Sequence, residues 1–462
     1  MSTTIPREGS IEELRSRLAG GVLDPRSAGY DEARQAWNLS FEHNPNIIVI
    51  PASASDVSAA VQYAAQTGLK VAIQSTGHGV AKVADGAMLI LTKNLDEVAV
   101  DPENWTARIG GGAKWEKVLG PAVAAGLAPL LGSTPDVSAA GYTLGGGMGW
   151  LARKYGLSAD HVRAIELVTA DGAIRRASPD SETDLFWALR GGGAGSFGVV
   201  TAIAVDLVPA SPMYAAHLFY PASMAREVGA RYRDWVVNAP QELTSSIAMM
   251  NFPPVEDVPD PLRGRSFVII RGAFLGDDEG GEALLSYWRD WRTPEVDMWG
   301  RMPFAEIAAV SSDPVDPLPG LASTEWLDVI SDDAIDILAA AMFEQDGPSP
   351  LAMAEIRHAG GAVSRQPEHP NAYGNRARQH VLEVVGITMT PEDKTSLEAF
   401  VTRLQADLAP HLAGGAYLNF LEGEEKIRRS AEGFEPESWQ RLREIKAQVD
   451  PTNLFDHGIA IR

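Results

Sequence analysis

From Asn46 onward, short apolar runs alternate with amphipathic stretches. Residues 47–50, IIVI, form an uninterrupted apolar run of the kind that makes a buried strand. Asp56 is placed to cap a helix in which Val57, Ala60, Val61 and Ala64 recur at helical spacing and which Gly68 closes. The pattern then predicts strands at 71–73, 88–92, 98–100 and 106–109, and a helix over 115–125 ended by Gly126. Segments 164–169 and 174–177 flank Ala170-Asp171-Gly172, a hairpin turn. Next come a short helix at 184–190 and a strand at 199–207. Strands joined both by helices and by hairpins predict an α+β fold over a plain doubly wound sheet.

The texture changes at Pro209-Ala210-Ser211-Pro212, after which glycine clusters thin out. Strand 266–270 and helix 333–342 are legible there, with Pro- and acid-rich loops at 253–261 and 313–320. Residues 352–358 read as a strand, which puts Met353, Glu355 and Arg357 on one face. The last helical pattern, 439–449, sets Leu442, Ile445 and Val449 on one side and stops at Asp450-Pro451. A chain of 462 residues exceeds what one core comfortably supports, so two domains or one domain with a large insertion are expected.

Composition narrows the function classes. Lys plus Arg number 39 against 61 Asp plus Glu, a net charge of −22. That charge repels nucleic-acid backbones and anionic membrane surfaces, so neither is expected as a partner. Cysteine is absent, which removes disulfides, thiolate nucleophiles, Fe–S clusters and cysteinyl zinc sites. No apolar stretch has the length of a secretory signal or a membrane span, and a cytoplasmic location is the default expectation. No metal site is expected.

The chemistry-bearing text is glycine-rich. Gly110-Gly111-Gly112, the run GYTLGGGMG from Gly141 to Gly149, and Gly191-Gly192-Gly193 ahead of Gly195 all lie between predicted strands. Any one of them alone reads best as a tight turn. Together they suggest backbone amides brought close to a dinucleotide diphosphate. None combines a preceding strand, a following helix and a trailing acidic residue, so a Rossmann site is rejected; a P-loop lacks its Lys-Ser/Thr ending. His78 stands in Ser75-Thr76-Gly77-His78-Gly79, with glycines on both sides giving a large group access to the ring.

These residues resemble a known family. STGHG resembles the histidine loop of the vanillyl-alcohol-oxidase flavoprotein superfamily, whose histidine bonds the 8α-methyl of FAD. GYTLGGGMGWLARKYGLSADHV resembles the glycine signature of the berberine-bridge-enzyme-like branch. DLFWALRGGGAGSFGVVT and the terminal VDPTNLF are similar to further signatures. The resemblance implies a two-domain α+β FAD-binding fold with an antiparallel-sheet substrate domain. Residues 1–210 and 415–462 would form the FAD-binding domain and 211–414 the substrate domain. Ser75, Thr76, Gly77, His78, Gly79, Gly141, Gly145, Gly146, Gly149, Val200 and Asn453 would lie along the cofactor, with glycine amides on the pyrophosphate. Thr134 stands where many relatives carry a cysteine bonded to flavin C6. A threonine forms no thioether, so one covalent bond, through His78, is expected, as in the 6-hydroxy-D-nicotine oxidase type. Tyr142 replaces a histidine common in the glycine signature. Val137 matches a residue bordering the oxygen pocket and leans toward molecular oxygen as acceptor.

The resemblance implies hydride removal from an alcohol or amine carbon of a small molecule. A dehydrogenase, an oxidative cyclase, or a non-redox cyclase with structural FAD are the alternatives. For the base, Tyr417, in a Tyr-x-Asn-Tyr-like element, is the first expectation and Glu355 the second. Arg357 is always protonated and would instead hold a substrate carboxylate or enolate. Tyr373 and Arg376 are further pocket candidates; Phe420 and Glu422 have no evident catalytic role.

Overall fold

The computed structural model describes residues 8–193 and 195–461. Its strands assemble as the alternating patterns require. A four-stranded sheet runs in the order Gly21–Leu23, Ile47–Ile50, Met88–Leu91, Val71–Gln74. The last three strands are parallel, and Met88–Leu91 is buried throughout. The helix Ala54–Thr67 packs Val57, Ala60, Val61 and Ala64 into the core of this sheet. Ser53 caps that helix, accepting from Asp56 N–H; Asp56 itself binds the amides of Ala19, Gly20 and Ala52. The cap therefore lies three positions before the residue that the sequence pattern points to. An acidic residue in the first turn serves the helix dipole equally well, and pattern alone does not separate the two.

A five-stranded antiparallel sheet joins Val98–Asp101, Thr106–Gly110, Val199–Asp206, Val162–Val168 and Ile174–Ala177 in that order. The expected hairpin closes with Val168 opposite Ile174. The largest sheet is antiparallel and draws its strands from 213–387. At its centre Leu243–Asn251, Met353–His358 and His380–Ile387 lie side by side, with Gly320–Leu327 beyond them and Ser266–Phe274 on the other flank. The chain is α+β.

Alternation gives the large sheet two unlike faces. Ile247, Ile270, Ile356, Leu382 and Val384 face the helices Ala225–Val236, Asp278–Arg289, Asp332–Phe343 and Pro391–Leu408 and form one apolar core with them. The opposite face carries Arg271, Glu355, Arg357, Val381 and Glu383. Cross-strand pairing of Glu355 with Glu383 and of Arg357 with Val381 sets these residues together. At the chain end, Leu454 and Phe455 join the core of the four-stranded sheet, and the Leu454 carbonyl accepts from Val71 N–H. No helix among the described residues is long and apolar enough to cross a membrane.

Candidate active site

The glycine signature meets the charged face of the large sheet at one residue, Met148. Its N–H donates to the Tyr417 hydroxyl at 3.0 Å, and its carbonyl lies 3.4 Å from an Arg357 guanidinium nitrogen. The Arg357 guanidinium also sits 5.1 Å from the Trp150 ring and 5.4 Å from Phe420. Tyr417 is buried, edge-on to Phe420 at 4.7 Å, Tyr373 at 6.2 Å and Trp326 at 6.4 Å. It precedes a short 3-10 turn, Leu418–Phe420. Asn419 Nδ2 donates both to the Tyr417 hydroxyl (3.2 Å) and to the Tyr142 carbonyl (3.0 Å).

The side chains on the sheet face differ in what they have left to offer. Glu355 is 1% exposed, held by Arg271 (2.8 Å) and Arg357 (2.8 Å), and accepts from the Ser246 hydroxyl. Burial works to raise its pKa, but the two guanidiniums prevail and hold it at about 2. Its neighbour Glu383, unmarked by any sequence motif, is half-buried, and its side chain makes no hydrogen bond or ion pair among those of the described residues. Burial pushes Glu383 up to about 8; Arg357 and Arg271 pull down while Glu355 and Asp313 push up. A charged residue inside the apolar run HVLEVVGI was the available signal for it.

On the other side, His78 comes shortly after the strand Val71–Gln74. Gly77 turns the chain at φ +81°, where an added Cβ would lie 2.7 Å from the Ala36 backbone. The His78 ring stacks on Trp37 at 4.2 Å, and its Nδ1 is 2.8 Å from Thr76 Oγ1. Its Nε2 points at Asp136 Oδ2, 3.4 Å away, and neither atom has a hydrogen-bond partner. Thr134 Oγ1 donates to the other Asp136 oxygen at 2.7 Å. Trp37 and Asp136 carry no mark in the sequence because their relation to His78 exists only after folding.

The glycines divide into two groups. A Cβ on Gly110, Gly111 or Gly112 would strike the carbonyls of Leu95, Val200 or Thr92 at 2.1, 2.1 and 1.9 Å. Gly191 is pressed against Tyr373 and Gly193 against Leu189. These glycines serve close chain packing. Gly145 abuts Asn419, Gly146 the Tyr373 ring and Gly149 the Leu131 carbonyl. By contrast, Gly79, Gly141 and Gly195 meet nothing closer than 3.4 Å and present bare backbone. At Gly79 the nearest atom is Lys426 Nζ, whose pKa burial lowers to about 8.

The remaining sequence candidates have defined places. Gly141 N–H is bonded to Ser138 Oγ at the start of the helix Ala139–Leu144. Val137 is half-buried and its carbonyl accepts from Trp115 N–H. Val200 is buried in its strand beside Gly111. Asn453 takes a left-handed turn at φ 49°, its carbonyl binding Lys70. Arg376 is buried and donates to Asp160 and Asn371, while its Nε has no partner.

FAD fits these residues. Ser75 Oγ, His78 Nε2, Asp136 Oδ2, Tyr142 Oη, Tyr373 Oη and Arg357 Nε are buried without a partner, an expensive arrangement for a site that holds only protein. Bare backbone at Gly79, Gly141 and Gly195 provides the close approach a dinucleotide needs. Among the described residues no cluster of His, Asp or Glu could hold a metal ion.

Comparison with known proteins agrees. Residues 45–178 match the model of the FAD binding domain family, and residues 416–462 match the berberine and berberine-like family. The chain is 28% identical to the FAD-linked oxidoreductase YvdP of Bacillus subtilis, over 95% of this chain and 97% of that one. It is 36% identical over 192 residues to (R)-6-hydroxynicotine oxidase of Paenarthrobacter nicotinovorans, covering 41% of this chain and 42% of the relative. The crystal structure of 6-hydroxy-D-nicotine oxidase from Arthrobacter nicotinovorans superposes with a TM-score of 0.82 at 24% identity, over 96% of this chain and 98% of that one. Histidine loop and glycine signature thus lie in an FAD-binding domain, the C-terminal segment is berberine-like, and the chain is an FAD-linked oxidoreductase similar to the berberine-bridge-enzyme-like enzymes.

Proposed function

We propose that the protein oxidises an alcohol or amine carbon of a small organic substrate, with molecular oxygen as acceptor. The observation that carries this reading is the meeting of Tyr417, Arg357 and the glycine signature at Met148, with an unengaged carboxylate, Glu383, on the same sheet face. FAD supplies the two-electron acceptor for a substrate hydride when bound. Residues 1–210 and 415–462 hold it and residues 211–414 hold the substrate; the packing of Leu454 and Phe455 against the first sheet supports that division. The relatives named as nicotine oxidases support an oxidase acting on a small amine-bearing molecule.

Glu383 is the base in this reading. A carboxyl near 8 is partly ionised at neutral pH and takes a proton more readily than an ordinary one. Glu355, the second candidate from sequence, is too acidic for the task with its pKa at about 2, and its charge is already committed to Arg271 and Arg357. Arg357 favours ionisation of Glu383. Tyr417 is a positioning residue: burial raises its pKa, and its oxygen is occupied by two donors. Tyr417→Phe leaves the Met148 N–H and an Asn419 N–H without their acceptor, at a cost of about 1–3 kcal/mol. The variant should lower the urea midpoint while the flavin is reduced within a few-fold of the parental rate. Loss of reduction with unchanged stability would return the base to Tyr417.

His78 carries the cofactor through one covalent bond, because Thr134 cannot supply a second. Val137 borders the oxygen-access pocket. Acid-precipitated protein should give a yellow pellet whose flavin mass maps to the peptide containing His78, and His78→Ala should release the flavin to the supernatant. Anaerobic mixing with a panel of small alcohols and amines, and then admission of air, tests the rest. Bleaching of the flavin band and peroxide on reoxidation are expected. No bleaching by any member overturns the substrate class, and bleaching without peroxide overturns oxygen as acceptor.

A further inference from the structure

The pair formed by His78 and Asp136 has no task in substrate oxidation. The Asp136 carboxylate is 4% exposed, with one oxygen bound by the Thr134 hydroxyl at 2.7 Å. Its other oxygen lies 3.4 Å from His78 Nε2, and both atoms are otherwise unpartnered. On the far side of the ring, Nδ1 is 2.8 Å from Thr76 Oγ1, a hydroxyl able to donate to it. Trp37 covers one face of the imidazole at 4.2 Å and 15° and restrains it from turning. Ring orientation and the carboxylate facing Nε2 are therefore both specified.

We propose that Asp136 prepares His78 for its attachment to the flavin, holding the proton on Nε2 and leaving the Nδ1 lone pair as the nucleophile. This rests on the covalent reading above. A new bond joins Nδ1 to the flavin methyl carbon, which gives up one proton. The Nε2 proton passes to Asp136 as the imidazole would otherwise become cationic. The two electrons enter the flavin ring system and are removed by dioxygen as peroxide, which restores the oxidised cofactor. Thr134 acquires a reason here: at the position where a cysteine would make a second bond, this chain has a hydroxyl that aims the carboxylate at the histidine. The nearby His78 ring and the Thr134 hydroxyl outweigh burial and keep Asp136 below the usual carboxylate range, consistent with an ionised partner at neutral pH.

The test uses full-length protein from riboflavin-starved cells, mixed with FAD in air and quenched in acid at intervals. In-gel flavin fluorescence reads the attached fraction. The parent should label to completion. Asp136→Asn should bind FAD on gel filtration yet attach it about a hundredfold more slowly, a loss typical of removing a positioned proton acceptor. His78→Ala should remain dark. If Asp136→Asn labels at the parental rate, the role assigned to Asp136 is wrong. If that variant binds no FAD, 15N NMR of His78 in the parent decides: a proton on Nε2 supports the proposal and a proton on Nδ1 overturns it. A parent that binds FAD but never labels marks a different failure, that of the covalent reading itself.

Discussion

Glu383→Gln is expected to retain bound FAD and to lose substrate-driven flavin reduction by about two to four orders of magnitude, the range for removing a general base. Glutamine keeps the shape of the side chain and cannot accept the substrate proton. The measurement is anaerobic stopped-flow reduction, using the fastest reductant found in the alcohol and amine panel. The raised pKa sets the sign of the pH dependence. Burial first, and then Glu355 and Asp313, hold Glu383 protonated up to about 8. The working form is the ionised one, so the reduction rate should climb about tenfold per pH unit below that value and level off above it. A substrate cation would shift the step downward. A flat profile between roughly pH 6 and 9, a span that brackets the pKa, with Glu383→Gln reduced at the parental rate, would sink this assignment.

Glu355→Ala should be the most destabilising single substitution in this site. It strips the shared counter-ion from two buried guanidiniums, Arg271 and Arg357, which are 3% and 4% exposed. Breaking a buried pair in this way costs about 3–5 kcal/mol, since the remaining charges stay desolvated and here also repel each other. Urea unfolding monitored by tryptophan fluorescence would read the loss. Linkage gives an independent check. The Glu355 pKa is depressed from 4.5 to about 2, so its stabilising contribution is present above pH 4.5 and is lost as pH falls through about 2. Glu355→Ala should flatten the acid limb of the parental stability profile. The same experiment separates structure from chemistry: protein that remains folded should still reduce its flavin if Glu355 is no base. A variant as stable as the parent would show that the two arginines are solvated, contrary to their burial.

Much of the fold could be read along the chain. A continuous apolar run is sufficient to mark Ile47–Ile50, turn residues mark the hairpin around Asp171, and alternation marks the strand Met353–His358. Errors gather at element ends, as with Ser53 and Asp56, where side chains of equal local merit compete. The histidine loop and glycine signature are visible as well, since short segments of backbone that approach a dinucleotide must be written in glycine. Which glycines remain open is invisible: Gly110 and Gly191 look like Gly141 in the text, and only their neighbours Leu95 and Tyr373 tell them apart.

The sequence by itself determined the α+β class, the absence of cysteine chemistry and the flavoprotein signatures, all of which reside in local runs of residues. The tertiary structure decided how the charges are used. Glu355 and Glu383 are both single acids in apolar strands, and strand register alone brings them opposite each other and within the field of Arg271 and Arg357. One is neutralised by two guanidiniums and the other is left unpaired, so their pKa values separate from about 2 to about 8. His78 was marked by its loop, while Trp37 and Asp136, which orient it, come from other segments. A pKa or a tautomer depends on distances between such segments, and those distances exist only in the folded chain.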